Sequence, residues 1–326
     1  MSNQKKIVKA VIPAAGLGTR MLPATKAVPK EMLPVAGKPL IQYAVEEAAA
    51  SGIDTVILVI RGNKSLIQEH FAPGHDLKSR FYQQGLNKSP DCLCPDSKPI
   101  NIKYVQQESP LGLAHAISCA QPLVGDEPFV VLLPDVIMLT HDPVTSQLIR
   151  THAEVGGSVI AIREVEPQDV KRFGIVQLQG PAVSSPRGPL RITGLIEKPS
   201  SERAPSRFGV FGRYLLEPSI WNVIAQTHAD PRGEVQLTDA LSTLCQQASL
   251  FGVCFDGWHY DAGDRMGYLQ ANIELSLEDP HLREPLLHYL SGIASSQSAS
   301  KFLAQPSGGR SQVLTSQPGD SSSRKL

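Results

Sequence analysis

The residues best suited to chemistry begin with a glycine loop, Gly16-Leu17-Gly18-Thr19-Arg20, placed directly after the apolar run from Ile7 to Pro13. An apolar run that ends in glycines reads as a buried parallel strand whose C-terminal end opens into a ligand crevice. Glycine lets backbone N–H groups approach a phosphate, because no Cβ stands in the way and positive φ costs little. From Arg20 to Lys38 the chain carries Arg20, Lys26, Lys30 and Lys38 against a single acid, Glu31, a balance that suits a polyphosphate. Pro29 and Pro34 frame Lys30-Glu31-Met32-Leu33 as a short rigid segment, which a plain surface turn with solvated lysines does not explain. Two better-known phosphate loops fit poorly. A P-loop needs four residues between its glycines and then Gly-Lys-Ser/Thr; a dinucleotide fingerprint needs a third glycine where Met21 stands and an acid where Ile60-Arg61 stand.

Four further places carry chemical groups. Gln106 and Gln107 close a run five residues before Gly112-Leu113-Ala114-His115-Ala116. A side-chain amide offers a donor and an acceptor side by side, and can pair with the imide edge of uracil or thymine; a solvated strand-end glutamine is the plainer reading. Asp135 follows Phe129–Leu133 and Pro134, where a carboxylate could hold Mg²⁺ against a triphosphate or simply cap a turn. Asp261, in Trp258-His259-Tyr260-Asp261-Ala262-Gly263, is the second metal candidate, since one or two carboxylates plus phosphates and waters is the usual magnesium arrangement. Glu197-Lys198-Pro199 ends another run. There Glu197 could accept from sugar hydroxyls and Lys198 meet a phosphate, or the two could form a surface ion pair. No nucleophile–base pair surrounds His115, which suits transfer between phosphates, where positioning and charge neutralisation matter most.

The elements that must position these groups follow from periodicity. Strands are expected at Ile7–Pro13, Thr55–Ile60, Ile100–Gln106 and Phe129–Leu133, alternating with helices at 39–52, 65–71 and 112–120. That alternation predicts an α/β fold with a doubly wound, mostly parallel (Rossmann-like) sheet, and ligand over the strands' C-terminal ends. Past Asp135 the runs at 159–163, 175–179, 191–197 and 207–214 are short and separated by turn-rich sequence, so this half reads as mixed and partly antiparallel. Helices at 144–155, 218–225, 236–245 and 265–277 and a strand at 250–255 complete the pattern. We expect one domain over residues 1–293, with a nucleotide half to about 140 and a second half beyond it. The polar stretch 72–99 reads as an insertion with one short helix, and 294–326 as a disordered tail too poor in apolar residues to offset its ordering entropy.

Composition removes several alternatives. Thirty-one basic and thirty-one acidic residues cancel, so no global field draws the chain to nucleic acid or anionic lipid, and phosphate recognition must be local. No apolar run reaches the length of a membrane span, and residues 1–6 lack a signal-peptide apolar region. Five scattered cysteines give neither a disulfide framework nor a zinc spacing. A cytoplasmic protein with reduced thiols is expected.

Gly16–Arg20 together with Pro29–Pro34 resembles the signature of the sugar-1-phosphate nucleotidylyltransferases. Met21-Leu22-Pro23-Ala24-Thr25-Lys26 is most similar to the bacterial UTP–glucose-1-phosphate uridylyltransferases (UDP-glucose pyrophosphorylases), and similarity continues in patches to about residue 280. The resemblance implies transfer of a uridylyl group from UTP to glucose 1-phosphate, giving UDP-glucose and pyrophosphate by Mg²⁺-assisted in-line attack. It implies catalytic roles for Arg20, Lys30 and Lys198, and nucleotide contacts at Ala14, Ala15, Gly16, Leu17, Gly18, Thr19, Gln107 and Gly112. The family's spacing favours Gln107 over Gln106. Sugar phosphate would meet Gly174, Glu197, Lys198 and Val210, and Mg²⁺ would meet Asp135 and Asp261. Glu234, in Gly233-Glu234-Val235-Gln236, also matches the family. Ala114 stands where glycine is commoner, and Ala262 where cysteine is. A homodimer or homotetramer is implied. The same chemistry with dTTP, and a regulatory paralogue without turnover, are the alternatives; the intact Gly18-Thr19-Arg20, Lys30, Asp135 and Lys198 argue against the second.

Overall fold

The structure is a computed structural model that describes residues 6–62, 65–72, 100–180 and 188–295. The insertion expected at 72–99 and the tail at 294–326 therefore lie almost wholly outside the described residues. The chain forms two compact units, Met1–Ile273 and Glu274–Leu326.

The first unit is built on strands β1 (Lys9–Pro13), β4 (Thr55–Ile60), β5 (Asn101–Gln106), β6 (Phe129–Leu132), β8 (Ser158–Glu164), β9 (Gly174–Leu178), β10 (Leu190–Glu197), β11 (Phe208–Leu216) and β12 (Leu250–Cys254). Short strands β2 (Pro34–Val35) and β3 (Lys38–Pro39) pair with each other, and β7 (Val136–Leu139) pairs with β13 (Trp258–Asp261). The nine long strands make one sheet in the order β5-β4-β1-β6-β11-β8-β12-β10-β9. Strands β5, β4, β1 and β6 run parallel; β4, β1 and β6 are near-continuously apolar, as strands covered on both faces are, whereas β5 is the polar, part-exposed edge. The helices that cover the sheet are α1 (Leu40–Ala50), α2 (Ser65–Phe71), α3 (Leu113–Cys119), α4 (Gln121–Val124), α5 (Val144–Val155), α6 (Ile220–Gln226) and α7 (Leu237–Gln247). Helix α8 (Arg265–Glu278) crosses the boundary between the units, and α9 (Arg283–Ser295) belongs to the second.

Alternation along the parallel strands feeds two cores. Val11, Ile57, Val59 and Val131 pack with Ile117, Ile220 and Leu241 on one face; Ala10, Ile12, Val56, Leu58 and Leu132 pack with Ile41, Val45, Ile67 and Leu148 on the other. Each such aliphatic side chain contributes about 1.5–3 kcal/mol when fully buried. Beyond β6 the strand directions mix, as the short runs of that half suggest. Strand β11 runs antiparallel between β6 and β8, and β10 runs antiparallel to both β12 and β9. Which strands would turn was not legible, because β11 is buried along nearly its whole length and its apolar pattern carries no sign of direction. Its register with β8 slips between Val210 and Tyr214, a bulge centred on Gly212 at φ 65°. No helix among the described residues is long and apolar enough to cross a membrane.

Candidate active site

The glycine loop lies over the C-terminal end of β1. Ala14 is fully buried beneath it, its N–H donating to the Val59 carbonyl at 2.7 Å. Gly18 takes the left-handed conformation, φ 65°, and a Cβ there would meet Lys30 Cβ and Thr25 Cγ2 at 3.1 Å. Thr25 Oγ1 donates to the Gly18 carbonyl at 2.8 Å, tying the loop to the segment that follows. Pro29 then leads into a single 3₁₀ turn, Lys30–Met32, and Lys30 Nζ donates to Asp135 Oδ2 at 2.6 Å. The rigid Pro-framed segment thus delivers a lysine to the end of β6.

Ala15 to Thr19, Lys30, Gln107, Gly112, Asp135 and Glu234 surround one cavity of about 370 Å³. Gln107 is only 3% exposed, whereas Gln106 is exposed at the sheet edge. Gln107 donates its backbone N–H to the Ile60 carbonyl at 2.8 Å, which holds it just past β5. Gly112 has φ 97°, and a Cβ there would lie 2.6 Å from the Val235 carbonyl oxygen. Glycine alone lets the segment bearing Glu234 close over the start of α3.

The two acids meet across the small sheet. Asp261 at the end of β13 stands in register with Val136, the residue after Asp135. A Cβ at Gly263 would fall 2.7 Å from Asp135 Oδ2, 2.7 Å from Arg20 Nη2 and 3.0 Å from Asp261 Oδ1, so all three side chains converge on that glycine. Burial works against the charge on Asp135, but Lys30 and then Arg20 outweigh it and hold its carboxyl below the ordinary range. A carboxylate kept for a metal is expected to be poorly paired without one; Asp135 is instead paired with Lys30. Burial, and then the Asp135 charge, push Asp261 above its ordinary value. Among the described residues no three His, Cys, Asp or Glu side chains gather around one point. A cation here would have two carboxylates and take its other ligands from phosphates and water.

Gly174, Glu197 and Lys198 form a neighbouring group. Lys198 Nζ lies 2.8 Å from Glu197 Oε1, and Thr238 Oγ1 donates to Glu197 Oε2 at 2.7 Å. A Cβ at Gly174 would come within 3.2 Å of that same Oε2. Lys198 has a left-handed backbone, φ 44°, a conformation that costs a non-glycine residue about 1–2 kcal/mol and collects at functional positions. Burial, followed by the Glu197 and Asp135 charges, pushes the Tyr214 phenol up, so Tyr214 lies within the field of both groups. Val210 packs half-buried against the α3/α6/α7 core and does not line the cavity.

Sequence reasoning missed the supports. Arg213 is 1% exposed and follows the β11 bulge; its Nε and Nη2 donate to Glu47 Oε2 at 3.0 and 2.7 Å. It also donates to the Leu133 carbonyl at 3.0 Å and the Val136 carbonyl at 2.9 Å, clamping the turn that bears Asp135 from behind. An arginine inside an apolar strand was the available signal. Thr238, Tyr214 and Gly263 carried none of their own.

Strand ends of this kind are where open α/β sheets take phosphorylated ligands, and they set the class: an α/β protein with a crevice for a phosphate-bearing molecule. The chain belongs to the nucleotidyl transferase family, whose model matches residues 9–277. It is 42% identical over 290 residues to a UTP–glucose-1-phosphate uridylyltransferase of Bacillus subtilis (strain 168), covering 89% of this chain and 96% of that protein. A Streptococcus pyogenes protein of the same description is 39% identical over 300 residues, covering 91% and 97% of the two chains. A UTP-bound UGPase from Acinetobacter baumannii superposes with a TM-score of 0.79 at 33% identity, over 89% of this chain and 99% of that one. A UDP-glucose pyrophosphorylase complexed with UDP-glucose superposes at 0.75 with 34% identity, over 84% of this chain and all of the other, 100%.

Proposed function

We propose that the chain transfers a uridylyl group from UTP to glucose 1-phosphate, releasing pyrophosphate. The observation that carries this reading is a cavity that holds the buried Gln107 amide and, around the same space, the glycine loop and the Lys30–Asp135 pair. A base at Gln107 and Gly112 leaves its phosphates to run over the N–H groups of Gly16 to Thr19. Arg20 neutralises the leaving pyrophosphate, and Lys30 meets the nucleotide's phosphates beside Asp135. Lys198 and Glu197, with Gly174 and Val210 at the sugar, present the sugar phosphate, whose oxygen attacks the α-phosphorus as the bond to pyrophosphate breaks. No covalent intermediate forms. Asp135 and Asp261 suit a divalent cation by their donor set, since one or two carboxylates completed by phosphates and water is the usual magnesium arrangement. Held by Asp135 and Asp261, Mg²⁺ would supply positive charge against the negative charge that develops in transfer.

The sheet's first half supports a doubly wound nucleotide half to about residue 140, with a sugar half to about 293. Neither a nucleic acid nor a membrane is needed as partner, and we place the enzyme in the cytoplasm as a homodimer or homotetramer. A coupled pyrophosphate-release assay over UTP, dTTP, CTP and ATP with a panel of sugar 1-phosphates tests the reading. UTP with glucose 1-phosphate should give the highest kcat/KM. A dTTP optimum would make it a thymidylyltransferase. A nucleotide-induced rise in melting temperature without pyrophosphate release would make it a binding protein.

A further inference from the structure

Gln107 is almost wholly buried, yet it lines the cavity. Its amide nitrogen has two partners, the Gly112 carbonyl at 3.2 Å and His115 Nδ1 at 2.9 Å. A carbonyl oxygen only accepts, so the NH₂ end of the amide must face Gly112 and the oxygen must face away. The second amide hydrogen then goes to His115, whose Nδ1 has to be the unprotonated ring nitrogen, with the hydrogen on Nε2. Among the described residues no donor reaches Gln107 Oε1. Both donors of the amide are spent on the protein, and the one group left for a ligand is an acceptor. A flipped amide would set its oxygen against the Gly112 carbonyl, whichever ring nitrogen of His115 carried the hydrogen.

We propose that His115 is a positioning residue for base selection. By holding the Gln107 amide with its oxygen free, it makes the cavity take a base whose ring nitrogen carries a hydrogen, the N3–H of an imide. It turns away a base whose ring nitrogen is itself an acceptor, as in cytosine. The inference rests on the uridylyltransferase reading and adds to it a residue that holds the amide in the sense the Gly112 carbonyl sets. His115 touches Gln107 and not the reacting atoms, so its removal should act on affinity and on the choice of base.

The test uses the full chain, with steady-state kinetics on UTP and CTP and calorimetric titration of both. His115→Phe keeps a ring but offers no acceptor; His115→Asn can place a side-chain oxygen where Nδ1 stood. His115→Phe should lower the preference for UTP over CTP about five- to tenfold, the factor expected for one neutral hydrogen bond. The loss should lie mainly in KM for UTP, with kcat at saturation within about twofold of the parent. His115→Asn should restore most of the preference. A parent enzyme indifferent to the base would overturn the uridylyltransferase reading itself. A discriminating parent whose UTP:CTP ratio is unchanged in His115→Phe would overturn the role of His115 alone. Should His115→Phe not fold, ¹⁵N spectra of the parent decide the matter: an unprotonated Nδ1 at neutral pH is expected, and a hydrogen on Nδ1 would refute the arrangement.

Discussion

Replacing Arg213 by Met should destabilise the protein by about 3–5 kcal/mol, the cost of removing one partner from a buried ion pair. The methionine occupies much of the same space, so the loss is chiefly electrostatic. Glu47 keeps the bonds that Thr145 donates to its Oε1, 3.1 Å from the backbone N–H and 2.7 Å from the hydroxyl. Its Oε2, which takes both of the Arg213 bonds at 3.0 and 2.7 Å, is left bare with its charge. The Leu133 and Val136 carbonyls lose their donor as well, and each costs about 1–3 kcal/mol where no water replaces the arginine. At about 2–4 °C for each kcal/mol in a chain of this size, the melting temperature should fall by roughly 10 °C. Urea unfolding of the parent, Arg213→Met, Glu47→Leu and the double variant closes a thermodynamic cycle. The double variant should lose less than the sum of the two single losses, because it removes the bare Glu47 charge while the Leu133 and Val136 carbonyls stay without their donor. The reasoning fails if Arg213→Met costs less than about 1 kcal/mol, or if the double variant loses the sum of the two single losses. Where Arg213→Met stays folded, kcat should also fall, since the clamped carbonyls flank Asp135.

Asp135→Asn should lower turnover by about two to four decades, with partial recovery in Mn²⁺, because a metal's help is worth several kcal/mol and each 1.36 kcal/mol is tenfold. Its stability should fall and not rise, as Lys30, 18% exposed in its side chain, loses a carboxylate at 2.6 Å; near-parental turnover with an early melt would make Asp135 a structural residue only. A second expectation concerns acid. The Glu234 backbone N–H, and then Arg232, hold Asp230 down to about 2, below the 3.9 or so of an unfolded chain. Its stabilising contribution is therefore complete above about pH 4 and lost as pH falls through about 2. Melting curves between pH 2 and 5 should show a gap between parent and Asp230→Asn that closes toward acid, and parallel curves would remove Asp230 from the loop's support.

What could be read from sequence was whatever lies within a few residues of itself. The apolar runs of β1, β4 and β6, the Gly16–Thr19 loop and the strand-end positions of Gln107 and Asp135 are all local patterns. Asp261 was visible as a motif, but the strand that carries it was not. Trp258–Asp261 is short and half-exposed, and only its partner Val136–Leu139, far away in the chain, makes it a strand. Arg213 and Glu47 are hidden for the same reason: each looks like an ordinary charge until the fold brings strand and helix together. Helix α9 escaped notice because the apolar residues of 283–293 leave no buried stripe; none of its residues is buried. Which strands of the mixed second half would run antiparallel was equally illegible, since β11 is as thoroughly buried as the parallel-set strand β6 that it pairs with.

The pairing of β7 with β13 also sets an order of assembly. A chain made from its N-terminus completes the glycine loop, the amide at Gln107 and the first acid while β13 has yet to be synthesised. Until Trp258–Asp261 arrives, Val136–Leu139 has an unmatched edge and Asp135 lacks its counterpart across the register Asp261↔Val136. The cleft for a base can thus exist on the ribosome before the proposed cation pair does. The same arithmetic applies to damage: a break just ahead of β13 would spare the four parallel strands that carry the loop, yet take away the second carboxylate. Competence for chemistry is in this sense acquired only once Trp258–Asp261 pairs with Val136–Leu139.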